Sequence, residues 1–284
     1  MKHTSMQVPV EGAKIHLDIV GTGHPVVLLH GGPGADSRYL RPQCDRLSQM
    51  TVHGEPISLI YYDQRGAERS PLEPGSLPVG YDVHVEDLEE LRLALGIQRL
   101  TLCGYSWGGL LALLYSLRHK DVVERLILIS PAPASESERS KMQQNLQMAS
   151  QREDVQQFRA SVLEKEADLS AEEKRKYRFA SVVAGYFFHP ELALKLTPFR
   201  VIQRVEQAIW QSLGRYDIRA ELSTLSSIPS LLLHGRQDVI PFESAKDTAA
   251  LLGATFVPLD GLPKGRFCLD VRNVATIIQG FLQS

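Results

Sequence analysis

A series of short, almost uniformly apolar runs constrains this chain more than any other feature. They are Pro25 to His30, which leads into glycines, and Ile57 to Tyr62, which stops at Asp63. Leu100 to Cys103 stops at Gly104, Leu126 to Ile129 at Ser130-Pro131, and Ser230 to Leu233 at His234-Gly235. Ala254 to Val257 is followed by Asp260-Gly261. A strand with one wet face alternates apolar and polar residues; a run without alternation suits a strand covered on both faces, as in a parallel sheet. Between the runs lie segments with helical spacing: Val85 to Leu95, Trp107 to His119, Glu243 to Leu252 and Val271 to Leu282. Strand and helix in alternation predict an α/β chain, a mostly parallel sheet wrapped by helices. The start differs. Gln7 to Val10 and Lys14 to Val20 flank Glu11-Gly12, and Ile15, Leu17 and Ile19 alternate, so a half-buried hairpin is expected there.

Residues 132–222 break the rhythm. They are rich in Gln, Glu, Arg and Ser, carry helical spacing, and contain no strand pattern. The expected organisation is a core made of 1–131 and 223–284, with 132–222 as a helical insertion. Glu164-Lys165-Glu166 and Glu172-Glu173-Lys174-Arg175-Lys176 read as solvated helix faces. With 284 residues, 43% apolar and 23% charged, the chain can bury a core of ordinary composition. A formal net charge of −2 creates no field to gather nucleic acid or anionic lipid. Met1-Lys2-His3-Thr4-Ser5 lacks the apolar stretch of a signal peptide, and runs such as Leu110 to Leu117 are too short to span a bilayer. Cys44, Cys103 and Cys268 show no paired spacing, which argues against a zinc site or disulfide framework. The expected compartment is the cytoplasm, with neither nucleic acid nor membrane as a partner.

The chemistry gathers at strand ends. Gly104-Tyr105-Ser106-Trp107-Gly108-Gly109 fits G-x-S-x-G, follows an apolar run and opens a helical one. In that setting the pattern reads as a nucleophile elbow, with Ser106 exposed at a sharp turn; the alternative is a serine in an ordinary strand-to-helix turn. The Trp107 amide, at a helix start, can face a developing oxyanion. His30-Gly31-Gly32-Pro33-Gly34 can aim a second amide, that of Gly32, at the same oxygen, with His30 as a structural loop residue. Gly31 and Tyr105, beside these donors, are candidates for substrate contact. Asp238, after a late apolar run, is either an acid that orients a base or a cap for the next helix.

His30-Gly31-Gly32-Pro33-Gly34, Asp63-Gln64-Arg65-Gly66, the Ser106 motif and His234-Gly235-Arg236-Gln237-Asp238 together resemble the α/β-hydrolase superfamily. Within it they resemble the proline iminopeptidase-like branch, over essentially the whole chain. The resemblance implies an eight-stranded, mostly parallel sheet with a helical cap over the active site. It implies Ser106 as nucleophile, Asp238 as triad acid, Gly32 and Trp107 as oxyanion donors, and no cofactor or metal. The implied substrate is a short peptide with a free N-terminal residue, or else a small ester. Glu206 and Asp217 are candidates to bind the amine; a plain surface role is the alternative for each. Ala67-Glu68 stand where the family has small residues, and Glu68 is expected on a surface loop.

The resemblance also implies a histidine before the final helix. The chain has nine histidines, at 3, 16, 24, 30, 53, 84, 119, 189 and 234, and none follows His234. Lys264 stands at the expected place. Lysine titrates near 10.4 when unperturbed, so beside Asp238 it is expected to stay charged as an ion pair rather than act as a base. Three readings remain: a weakened or inactive hydrolase, a ligand-binding protein that keeps the pocket, and a hydrolase with a rearranged base.

Overall fold

In a computed structural model of the chain, the structure describes residues 2–259, other than 42, 53, 74, 166 and 168, and residues 272–284. The strands are β1 (His3–Val10), β2 (Ala13–Gly21), β3 (His24–Leu29), β4 (Thr51–Val52), β5 (Glu55–Tyr62), β6 (Leu100–Tyr105), β7 (Val123–Ile129), β8 (Ser230–Gly235) and β9 (Thr255–Leu259). The helices are α1 (Tyr81–Ala94), α2 (Trp107–Arg118), α3 (Glu136–Ser150), α4 (Glu153–Lys165), α5 (Ala171–Val183), α6 (Gln203–Leu213), α7 (Arg219–Leu222), α8 (Phe242–Leu252) and α9 (Arg272–Gln283).

Every apolar run is a strand of a nine-stranded sheet ordered β1-β2-β5-β3-β6-β7-β8-β9, with β4 alongside β5. From β5 to β9 the path is parallel; β1, β2 and β4 add antiparallel pairings at one side. Eight strands therefore form the path, as expected, and β4 is a ninth. Its two residues double back on Pro56 and Glu55 and are too few to carry a period. The first strand also begins earlier than its pattern, because β1 pairs with β2 from His3↔Val20 to Val10↔Ala13. His3 to Gln7 are exposed, so backbone pairing rather than burial holds them.

Both faces of the parallel strands are covered, which is why their sequences do not alternate. Successive side chains of a strand point to opposite faces. Val27, Leu29, Leu102, Leu126, Leu128 and Leu232 face one layer, with Leu88 of α1, Leu111 of α2 and Leu252 of α8. Val26, Leu28, Cys103, Ile127, Ile129 and Leu233 face the other, with Val274, Ile278 and Leu282 of α9. Burying each such Leu or Ile contributes roughly 1.5–3 kcal/mol. The α1 helix starts a turn before Val85, at Tyr81; extended Gly80 precedes it, and Asp82 in its first turn complements the helix N-terminus.

Helices α3 to α7 all lie between β7 and β8. Among the described residues this segment holds no strand, only an isolated bridge between Ser135 and Asp217. Two of its helices, α3 and α5, begin at polar caps: the Ser135 side chain accepts from the Glu138 amide, and Ser170 with Glu173 forms a capping box. Glu172 and Glu173 are exposed, as the charge run predicts. Val205 and Ile209 of α6 join the core, and the Ile202 amide donates to Gly34 O at 2.9 Å, which fastens the segment to the loop after β3. No helix among the described residues is long and apolar enough to cross a membrane.

Candidate active site

Ser106 joins β6 to α2 with φ 55° and ψ −119°. Side-chain residues occupy such a positive-φ conformation at a cost of about 1–3 kcal/mol, and only where the surroundings enforce it. Here they do. The Ser106 amide donates to Ile129 O at 3.1 Å, and its carbonyl accepts from Gly109, Leu110 and Ala132 amides at 2.9, 3.3 and 2.8 Å. The glycines of the motif are steric requirements. A Cβ on Gly108 would stand 2.0 Å from Leu29 O, and one on Gly104 2.5 Å from Gly108 O. The strand, the turn and the helix start thus fit only without those side chains.

The loop after β3 lies against this turn. A Cβ on Gly31 would stand 2.9 Å from Tyr39 Oη and 3.1 Å from Ser106 Cβ. The Gly31 amide donates to Tyr39 Oη at 2.6 Å, so its N–H is already engaged. Gly32 follows at φ 126° and, with Trp107, lines the same cavity as Ser106. As the first residue of α2, Trp107 has an amide without an intrahelical acceptor.

Gln64, which sequence reasoning passed over, ties the loop after β3 to the start of α2. Its amide donates to His30 Nε2 at 3.0 Å, its Nε2 donates to His30 O at 2.9 Å, and its Oε1 accepts from Trp107 Nε1 at 2.8 Å. His30 completes the arrangement by donating from Nδ1 to Gly31 O at 2.7 Å. With Nε2 accepting and Nδ1 donating, the ring is neutral, and its complete burial holds its pKa below the ordinary value. His30 is structural, as expected. The readable signal for Gln64 was its place directly after a buried strand, within Asp63-Gln64-Arg65-Gly66. Asp63 accepts from Ser37 and Arg69, and Glu68 pairs with Arg38 at 44% exposure, so Glu68 is the surface residue anticipated.

The cavity over Ser106 has a volume of about 410 Å³. Gly31, Gly32, Tyr105, Ser106 and Trp107 form its floor, and side chains of α3, α5 and α6 and their flanking segments form its walls. The walls are mostly apolar, among them Leu146, Val183, Phe187, Phe199 and Trp210. Among the described residues, two charged groups enter it. Glu206 of α6 is one of the residues named from sequence; burial raises its pKa, with Arg139 working against that rise. Arg139 of α3 is the other, and sequence reasoning missed it because a single arginine in a polar helix carries no distinguishing pattern.

Other sequence candidates lie elsewhere. Asp217 does not reach the cavity: it is exposed and pairs with Arg219 at 2.5 Å. A two-residue separation in an exposed turn favours that local pair. Asp238 follows β8 in a turn in which its amide donates to Gly235 O and its Oδ1 accepts from the Ile240 amide at 2.9 Å. It lines a neighbouring cavity of about 250 Å³, and Tyr186 and Phe187 line both. Its Oδ2 is buried and has no hydrogen-bond partner among the described residues. None of the eight described histidines lines the Ser106 cavity; His234 sits at the end of β8, with Nε2 at 3.2 Å from Ile240 O. Lys264, Cys268 and His53 lie outside the described residues.

A family model described as the alpha/beta hydrolase fold matches residues 24–247. The chain belongs to that family. It is similar to a proline iminopeptidase from Clostridioides difficile, 36% identical over 124 residues that cover 42% of this chain and 40% of that protein. It is also similar to the α/β-hydrolase superfamily protein YisY of Bacillus subtilis, 25% identical over 277 residues, 96% of this chain and 97% of that one. Among solved structures, a proline iminopeptidase-related protein from Thermus thermophilus aligns with a TM-score of 0.69 and 23% identity, over 99% of this chain and 98% of the other. The alignment with the Clostridioides difficile iminopeptidase covers only about two fifths of that relative's length. The α/β-hydrolase fold read from the motifs is therefore the one the chain has.

Proposed function

We propose that the protein is a serine hydrolase of a small amide or ester, with Ser106 as nucleophile and with turnover limited by the lack of a triad histidine. The observation that carries this is Ser106 itself, held in a costly backbone conformation and facing a cavity whose floor also includes Gly32 and Trp107. In the proposed reaction Ser106 Oγ adds to the substrate carbonyl, and the Gly32 and Trp107 amides stabilise the oxyanion. The amine or alcohol then leaves carrying the proton given up by the Ser106 hydroxyl, and water adds to the acyl ester, releasing the acid as one water proton returns to Ser106 Oγ. Helices α3 to α7 serve as the cap, and Gly31 and Tyr105 contact the bound substrate. Glu206 binds the N-terminal amine of a short peptide, in keeping with the similarity to iminopeptidases; ester substrates would use the apolar walls alone. Asp238 serves as the triad acid in this reading, and Lys264 stands in the sequence where the base is expected. Losing a triad member costs several orders of magnitude in rate and leaves oxyanion stabilisation and binding.

A second reading, a ligand-binding protein built on the same pocket, draws on the absence of any histidine after His234. Fluorophosphonate labelling and p-nitrophenyl acetate turnover separate the two. The unaltered protein is expected to label slowly at Ser106, Ser106→Ala not at all, and Lys264→His at least about a hundredfold faster than the unaltered chain. Labelling that persists in Ser106→Ala would remove Ser106 as the nucleophile. Silence in both the unaltered protein and Lys264→His, with the fold intact, would favour the binding protein.

A further inference from the structure

Among the described residues, no carboxylate pairs with Arg139. It lines the Ser106 cavity from α3, and its guanidinium lies 4.6 Å from the centroid of the Trp210 ring. Its Nε is buried and has no hydrogen-bond partner, and its side chain forms no ion pair among the described residues. The acids on its own helix are engaged elsewhere: Glu138 pairs with Lys141 at 2.7 Å, and Glu136 accepts from Ser140 at 2.7 Å. Glu206 shares the cavity and feels the Arg139 charge, but no hydrogen bond joins them. A buried donor left unpaired is costly, so a site like this favours an acceptor. A planar guanidinium whose face is covered by an indole still offers its N–H edge, the geometry that receives a carboxylate through two parallel hydrogen bonds.

The geometry points to Arg139 as a carboxylate-binding residue, so that the cavity takes molecules with a free carboxylate on an apolar skeleton. The inference rests on reading this cavity as the substrate site, and it narrows the substrate class. The guanidinium supplies the carboxylate's partner, and Leu146, Phe199 and Val201 supply an apolar surface for the rest. For a peptide bound through Glu206, the class becomes one with both ends free, a dipeptide rather than a longer or amidated chain. Trp210 holds the guanidinium in place by a cation–π contact, and its ring packs edge-to-face with that of Trp107, centroids 5.3 Å apart.

Both tryptophans of the chain line this cavity, so their fluorescence reports on its occupancy. The probes are hexanoate and its neutral near-isostere hexanamide, titrated into Ser106→Ala so that nothing is turned over. Hexanoate is expected to bind at least about tenfold more tightly than hexanamide. Arg139→Gln should abolish that preference while hexanamide binding remains, which also shows that the variant is folded. Arg139→Lys keeps the charge but not the planar fork and should fall between the two. Equal binding of the probes in Ser106→Ala, binding of neither, or an unchanged preference after Arg139→Gln would overturn the inference. The serine-hydrolase reading fails separately: hexanoate preference without Ser106-dependent labelling keeps the carboxylate site and removes the enzyme.

Discussion

Ser106 carries φ 55° because Ile129, Gly109, Leu110 and Ala132 together hold its amide and carbonyl, and not because serine favours that conformation. Glycine at this position has no Cβ to strain. Ser106→Gly should therefore lose nucleophilic chemistry and gain about 1 kcal/mol of stability by relief of backbone strain. Urea denaturation of the two proteins checks this; an unchanged or lower midpoint would mean that the conformation is unstrained. Residue identity also separates poorly what position separates well. Glu206 and Asp217 are both acids in the segment between β7 and β8, and equal candidates by sequence. The first enters the cavity from α6, and the second pairs with Arg219 in solvent. Arg219, two residues from Asp217, is the local difference between them; that Glu206 enters the cavity is decided by what faces it across space. Gln64 is a similar case: its role depends on His30 and Trp107, both distant in sequence.

At the scale of elements, strands were more legible than helices. A strand buried on both faces needs apolar residues throughout, so each one announced itself. Helix starts depend on caps and on neighbours: α1 begins at Tyr81, before its apolar spacing does, and α3 to α5 bury few or no residues, with weak periodicity. Within α1, His84 is wholly buried, neither ring nitrogen has a hydrogen-bond partner among the described residues, and burial pushes its pKa down to about 3. The folded protein therefore keeps this imidazole neutral, while the unfolded chain takes up a proton below its ordinary value of 6.5. The stability tied to His84 is full above pH 6.5 and is lost as pH falls from there toward 3, by at most roughly 1.4 kcal/mol per pH unit. His84→Leu should remove that loss. Its stability advantage over the unaltered protein should be larger at pH 5 than at pH 8, as measured by urea midpoints; equal advantages at the two values would show that His84 does not titrate in this way.

For the whole molecule, the sheet and the segment over it differ in how completely they are buried. All of β6 is buried, whereas α3 has no fully buried residue and α4 and α5 have few. Local opening is easiest where few apolar contacts must break. Amide hydrogen exchange should be slowest in β6, β7 and β8 and markedly faster in α3 to α5, and hexanoate should slow exchange in α3 more than in the strands. Uniform exchange across both parts would show that they open as one unit. The sequence by itself determined the parallel sheet, its two-sided burial and the elbow at Ser106. Each of these depends on residues close together in the chain: an apolar run, a glycine that must admit a passing backbone, a helix that follows. Only the tertiary structure decided what looks down on Ser106. The presence of Glu206 and Arg139 in one cavity, the placement of Asp238 beyond Tyr186, and the tie from Gln64 to the loop after β3 and to the start of α2 join residues far apart in sequence. Charged and polar side chains there obey no period, because each is placed by a single partner in space and not by a repeating face.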